Sequence, residues 1–135
     1  MSNQFQWPVR VYYEDTDAGG IVYHARYLYF LERARTEWLR EIGFNQSVLK
    51  QQNVIFVVRD MQIKWQQPAV LDEQLMVTAQ LEQIKKASMT MVQTITCGEE
   101  KKVQARVTIA CVHSETKKPM AMPEDVLNSI AKDNG

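Results

Sequence analysis

The sequence has few cysteines, which could cross-link the chain, and few prolines and glycines, which could interrupt its helices and strands. It also has no long apolar stretch that could cross a membrane. Its 135 residues include two cysteines, four prolines and five glycines. Cys97 and Cys111 lack the spacing of a metal site and indicate a reduced, cytoplasmic protein. No stretch approaches the roughly 20 apolar residues of a membrane span, and the N-terminal residues lack the apolar core of a signal peptide. Because linkers and repeats are also missing, we predict a single domain over residues 1–135.

The sequence has a formal net charge of zero, because 16 basic residues balance 16 acidic ones. This balance argues against a protein whose main task is to neutralise nucleic-acid phosphates, so we predict no nucleic-acid partner. Apolar residues make up 45% and charged residues 24%, as in globular domains whose core needs no disulfide. The seven methionines and three tryptophans are interpreted as core or subunit-interface residues. An adhesive surface at the inner face of a membrane is the alternative.

Hydrophobic periodicity predicts the order strand, long helix, four strands, short helix. Apolar residues at helical spacing run from Tyr27 through Leu31 and Trp38, and Gly43 provides a stop. A loop or short helical turn is expected near residues 45–53, and a short helix after Pro123. Alternating residues predict strands at 7–13, 54–66, 75–84, 88–97 and 103–113. We therefore predict an α+β fold in which one antiparallel sheet covers one long helix, with an apolar face left for self-association.

Polar and aromatic residues are concentrated where the first strand meets the long helix. They are Tyr13, Glu14, Asp15, Asp17 and His24. The N–H groups of a helix N-terminus can polarise a carbonyl oxygen, and a nearby carboxylate can act as nucleophile or general base. His24 can orient a water or carry a proton near neutral pH.

Each of these residues also has an ordinary structural interpretation. Asp17 can cap a turn, His24 can be a structural histidine, and Tyr13, Tyr23 and Tyr27 can be core or interface aromatics. The acidic cluster with His24 suggests a metal site, but its loose spacing is not diagnostic. We therefore predict neither a metal nor a cofactor.

The same segment carries a family signature. It resembles the signature of 4-hydroxybenzoyl-CoA thioesterase-type hotdog proteins at Arg10, Val11, Thr16, Asp17, Gly20, Ile21, Val22, Tyr23, His24 and Tyr27. The longer string over residues 7–24 resembles the YbgC-type branch, the Tol-Pal-associated acyl-CoA thioesterases. Residues 32–37, 56–59 and 68–72 extend the resemblance, which covers nearly the whole chain and is weaker after residue 75.

The resemblance implies a hotdog fold, an antiparallel sheet wrapped around one long central helix with a short C-terminal helix. It also implies active sites between the subunits of a dimer, often within a homotetramer. The implied reaction is hydrolysis of an acyl-CoA thioester to a free acid and CoA. Asp17 matches the catalytic carboxylate of the family, and Tyr13 and His24 match the residues that support it.

Substrate contacts are expected at two places. Backbone N–H groups from Tyr23 through Ala25 to Arg26 are predicted to stabilise the oxyanion. Basic residues are expected to bind the CoA phosphates, although lysines in hairpins are commonly solvated turn residues. The candidates are Arg59, Lys85, Lys86, Lys101 and Lys102.

Two further functions stay open beside the thioesterase. One is a scaffold that binds acyl carrier protein or lipid-synthesis enzymes at the cell envelope, and the other is a hotdog dehydratase. The sequence leaves open the acyl chain length, a CoA against a carrier-protein substrate, an anhydride against a general-base mechanism, and a dimer against a tetramer.

Overall fold

The computed structural model describes residues 4–133. Five strands form one sheet, and a short 3₁₀ turn at Tyr13–Asp15 follows the first of them. The strands are β1 (Phe5–Arg10), β2 (Val54–Trp65), β3 (Gln74–Ile84), β4 (Ser88–Cys97) and β5 (Glu100–His113). The helices are α1 (Arg26–Glu41), α2 (Gln46–Gln51) and α3 (Glu124–Asp133). The predicted order is confirmed, and the segment near residues 45–53 forms the short helix α2.

The sheet is antiparallel throughout, in the order β1-β3-β4-β5-β2. Hairpins join β3 to β4 and β4 to β5, whereas β1 and β2 reach the two edges through longer connections. The outer backbone groups of β2 therefore have no partner strand among the described residues. Register shifts interrupt β2 between Val58 and Asp60 and β3 between Leu81 and Gln83.

The core lies between α1 and one face of the sheet. Phe30, Leu31, Ala34 and Trp38 of α1 are fully or almost fully buried, because a spacing of three or four places them on one helical face. Alternate residues of β4 and β5 bury the facing side chains. Gly43 ends the helical segment with φ of 106°, a left-handed conformation that side chains disfavour.

The methionines confirm their interpretation as interior residues. Met89, Met91 and Met122 are buried, and the remaining described methionines are half-buried. Within residues 4–133, no helix is both long enough and apolar enough to cross a bilayer.

Candidate active site

Asp17 begins a tight turn just before α1. Its carbonyl oxygen accepts the Gly20 N–H at 3.0 Å, and its own N–H donates to the Ile21 carbonyl at 2.9 Å. Gly20 has φ of 81°, which explains why glycine suits this position. The Asp17 side chain is held by the Gly19 N–H, which lies 2.8 Å from Oδ1. The other oxygen, Oδ2, has no hydrogen-bond donor within the described chain, so one carboxylate oxygen is anchored and one is exposed to reactants.

Asp17 and His24 line the same open pocket of about 340 Å³. The His24 ring lies 4.6 Å from the Tyr23 ring and meets the edge of Trp65 at 6.3 Å, centroid to centroid. The remaining lining residues come from the segment before α1, from its first turn and from the segment after β2: Ile21, Val22, Tyr27, Gln66, Gln67 and Pro68. The structure thus brings together the carboxylate and the imidazole that the sequence singled out.

The segment that enters α1 presents two free backbone donors. The Tyr23 N–H donates to the Asp15 carbonyl at 3.0 Å, and the Arg26 N–H donates to the Tyr23 carbonyl at 2.8 Å. The N–H groups of His24 and Ala25 have no acceptor within residues 4–133. Of the expected oxyanion donors around Tyr23 to Arg26, these two are available, and they lie at the partially positive end of the helix.

A buried ion pair fixes the entry to α1. Asp15 is 5% exposed; its Oδ1 accepts from Arg26 Nε at 2.6 Å and its Oδ2 from the Tyr12 N–H at 2.9 Å. The hydrogen bond to Asp15 is the main reason that the pKa of Arg26 lies above its ordinary value. Arg26 also lies 3.7 Å from Glu14. The charges of Asp15 and Arg26 are thus paired with each other. Within the described residues, no group of three acidic, histidine or cysteine side chains is arranged to hold a metal ion.

Tyr27 connects the helix to the opposite wall of the pocket. Its hydroxyl accepts the Ala69 N–H at 3.0 Å, and burial raises the pKa of this phenol. The Ala69 carbonyl in turn accepts the Val22 N–H at 2.8 Å. Sequence analysis placed Tyr27 in the helical stripe but gave no indication of this contact, since Ala69 lies 42 residues away.

A second, larger cavity of about 710 Å³ lies between α1, α2 and the first half of β2. Its walls are largely apolar and include Leu39, Phe56 and Met91. Arg35 also lines it, with its guanidinium 2.9 Å from the buried Gln93 Oε1. Burial lowers the pKa of Arg35 from its ordinary value. Neither Asp17 nor His24 lines this cavity.

The other predicted site residues lie outside both cavity linings. The Tyr13 side chain is 77% exposed, and its carbonyl accepts from Thr16. Arg59 is exposed on β2, and Lys85 and Lys86 are exposed in the β3–β4 turn. Lys101 is exposed, whereas its neighbour Lys102 is 2% exposed.

Comparisons with known proteins identify the family. A model of the thioesterase-like superfamily matches residues 11–130. The chain is 46% identical to the acyl-CoA thioesterase YbgC of Haemophilus influenzae, over 93% of each chain. It is 44% identical to the acyl-CoA thioester hydrolase YbgC of Escherichia coli O6:H1, over 91% of this chain and 92% of that one. A crystal structure of a probable thioesterase from Bartonella henselae superposes with a TM-score of 0.80 at 40% identity, covering 89% of this chain and 98% of that one.

Proposed function

We propose that this chain, which belongs to the YbgC-type branch of the thioesterase-like superfamily, hydrolyses acyl-CoA thioesters to a free acid and CoA. Its α+β structure is the hotdog fold of that family. The observation that carries the proposal is the pocket in which the half-anchored carboxylate of Asp17 and His24 lie together at the start of α1. In this hotdog arrangement α1 is the central helix of a single domain.

The proposed reaction gives a separate role to the backbone N–H groups, to Asp17 and to His24. The thioester carbonyl oxygen accepts the free N–H groups of His24 and Ala25, which stabilise the oxyanion as the carbonyl carbon becomes tetrahedral. Asp17 Oδ2 either attacks that carbon or removes a proton from an attacking water. In the first case the CoA thiolate leaves, and water then hydrolyses the mixed anhydride. In the second case the water oxygen bonds to the carbonyl carbon and the CoA thiolate leaves, so the free acid forms without an anhydride. His24 orients the water, and Tyr13 supports the Asp17 turn.

We further propose that two copies of the chain complete each active site. Phe56 and Trp65 lie on the same strand about 30 Å apart, at about 3.3 Å per residue. Phe56 lines the large apolar cavity and Trp65 the Asp17 pocket, and the two linings share no residue, so within one chain they are separate spaces.

The edge position of β2 resolves this separation. If two β2 strands pair antiparallel, with a two-fold axis near Asp60 and Met61, the start of one strand lies beside the end of the other. The large cavity of one copy then adjoins the Asp17 pocket of its partner. Val57 and Val58, which are 38% and 47% exposed in one chain, are buried by this pairing. The acyl chain occupies the large cavity, and dimers of this kind are the unit from which a tetramer is built.

The polar part of CoA requires cations near the pocket mouth. Arg59, Lys85 and Lys86 remain proposed phosphate contacts, together with the exposed Lys101. The Arg26 side chain is engaged by Asp15 and its N–H by the Tyr23 carbonyl, so Arg26 stabilises the start of α1 and is not proposed as a phosphate contact. Both cysteines are free thiols, which agrees with a reducing cytoplasmic location.

The test compares Asp17→Asn with Asp72→Asn. Both substitutions remove one exposed carboxylate, but only Asp17 lines the pocket. Release of free thiol is followed across acyl-CoA esters from short aliphatic to aromatic and long-chain. We expect kcat of Asp17→Asn to fall by about 10² to 10⁴ while Asp72→Asn keeps wild-type turnover. Wild-type kcat in a folded Asp17→Asn protein would refute the proposal.

The scaffold hypothesis is less well supported. Its sequence basis was a surface rich in methionine and tryptophan, whereas the described methionines are at least half-buried and, of the three tryptophans, Trp65 alone is largely exposed, at 49%, and it lies beside His24. Binding of acyl carrier protein that is unchanged in Asp17→Asn, with no wild-type turnover on any thioester, would favour the scaffold. Turnover of acyl-carrier-protein thioesters alone would keep the enzyme and change its substrate.

A further inference from the structure

Lys102 on β5 is a charged side chain in the interior. The residue is 2% exposed, and its ammonium group donates to the Pro68 carbonyl at 3.1 Å. It lies 3.3 Å from Glu73 Oε1 and also pairs with Glu100. A buried ammonium group is strongly unfavourable unless its donors are satisfied, and here three oxygens satisfy them. Burial opposes its charge, but the bonds to Glu100 and Glu73 outweigh burial and raise the pKa of Lys102.

Lys102 holds the segment between β2 and β3 from two sides. Its side chain binds the Pro68 carbonyl, and its main-chain carbonyl accepts the N–H groups of Gln66 at 2.8 Å and Gln67 at 3.2 Å. All three of these residues line the Asp17 pocket. We use the name pocket wall for Gln66, Gln67 and Pro68. One residue thus fixes every member of the pocket wall.

Glu73 closes the far end of the same segment. Its Oε1 accepts the Val70 N–H at 2.8 Å while facing Lys102. Val70 forms a β-bridge with Ile21, whose carbonyl accepts the Asp17 N–H at 2.9 Å. Beside this bridge the Val22 N–H donates to the Ala69 carbonyl at 2.8 Å. Contacts therefore run from Lys102 through Glu73 and Val70, across the bridge, to the turn that carries Asp17.

We propose that Lys102 and Glu73 are positioning residues of the active site: their buried ion pair sets the pocket wall at a fixed distance from the Asp17 carboxylate. The inference rests on the proposed thioesterase function. A displacement of about 1 Å at a reacting group lowers the rate by as much as about 100-fold, because the reacting atoms lose their alignment. Loss of this pair therefore lowers kcat even though neither side chain touches substrate.

The experiment compares Lys102→Met with Lys118→Met, at an exposed lysine that lines neither cavity. Steady-state kinetics are measured on the best acyl-CoA substrate well below the unfolding midpoint of each protein. We expect Lys102→Met to lose about 10- to 100-fold in kcat with KM changed by less than about threefold, and Lys118→Met to keep kcat. The backbone amide resonances of Gly19 and Gly20 shift in Lys102→Met and not in Lys118→Met.

A second variant covers the case in which Lys102→Met does not fold. In Lys102→Met/Glu73→Gln the more buried of the two carboxylates that face Lys102 is also neutral, and the remaining one, Glu100, is 48% exposed and stays solvated. The contact to Pro68 is still missing, and the same loss in kcat is expected. Wild-type kcat in a folded Lys102 variant, whether or not its unfolding midpoint falls, would overturn the inference while leaving the thioesterase intact. Absence of hydrolysis by the wild-type protein would overturn both.

Discussion

Glu73 is a partly buried carboxylate whose charge depends on its neighbours. Burial opposes ionisation, but hydrogen bonds from the Val70 N–H and the Lys102 ammonium outweigh it, so the pKa of Glu73 lies below its ordinary value. The thiol of Cys97 faces the same carboxylate, and burial together with Glu73 raises the pKa of that thiol. The two shifts have opposite signs because the negative charge of Glu73 is favoured by Lys102 and disfavours a second negative charge beside it.

The low pKa of Glu73 predicts a pH-dependent contribution to stability. A carboxylate whose pKa is lower in the folded than in the unfolded state stabilises the fold fully above its ordinary pKa of 4.5. This contribution is lost as the pH falls through the folded-state value. We expect wild type to exceed Glu73→Gln in free energy of unfolding above the ordinary pKa, and the two to converge as the pH falls through the lower, folded-state pKa. Urea titrations from neutral to acidic pH measure the difference, and a constant difference contradicts the prediction.

At the residue scale, local sequence signals singled out Asp17 and His24, which line one pocket, and missed the residues that support them. Asp17 and His24 are seven positions apart, and both the turn between them and the helix start just after His24 were readable from local sequence. Trp65 and Lys102 reach the same region through strand pairing across the sheet, which spacing along the chain does not encode. The expected role of Lys102 as a cation at the CoA phosphates presumed a solvated side chain, whereas carboxylates from β5 and the β2–β3 segment surround it.

At the scale of helices and strands, two strands end or begin at other residues than predicted, because other backbone contacts replace the hydrogen bonds between strands there. The first strand was predicted over residues 7–13 but ends at Arg10, because the Val11 N–H donates to the Glu73 carbonyl and Tyr13 enters a 3₁₀ turn. The last strand was predicted from residue 103 but begins at Glu100, because Cys97 pairs with Glu100 across a two-residue turn. Strand β4 matches the prediction, since turn formers at both ends coincide with the hairpins.

The turn before α1 carries a prediction about Gly19. A Cβ atom at this position lies 3.2 Å from Asp17 Oδ1, closer than ordinary packing. Gly19→Ala therefore displaces the carboxylate by a few tenths of an ångström, and we expect kcat to fall about three- to tenfold with little change in unfolding temperature. Release of free thiol measures kcat, and circular dichroism during heating measures the unfolding temperature. Unchanged kcat would show that the carboxylate does not need its Gly19 anchor at this precision.

For the whole molecule, the edge strand β2 predicts how two copies meet. Val58→Glu places a carboxylate on the outer edge of β2, where pairing would bury it twice in a symmetric dimer. We expect the dissociation constant of the dimer to rise at least about 100-fold, because an unpaired buried carboxylate is strongly unfavourable. Sedimentation equilibrium measures it. Val70→Glu, at a valine of similar exposure outside β2, is the matched control and should leave the assembly unchanged.

The placement of the Asp17 pocket and the large cavity at opposite ends of β2 has a genetic consequence. A chain disabled at Asp17 keeps an intact cavity, and a chain whose cavity is blocked, as by Leu39→Trp, keeps an intact Asp17 pocket. We expect each protein alone to be inactive. In the proposed dimer, a mixed pair would contain one site built from the intact cavity of one chain and the intact Asp17 pocket of the other, so co-expression should restore about a quarter of wild-type activity by random pairing. Two defective alleles of this gene should therefore complement each other in one cell.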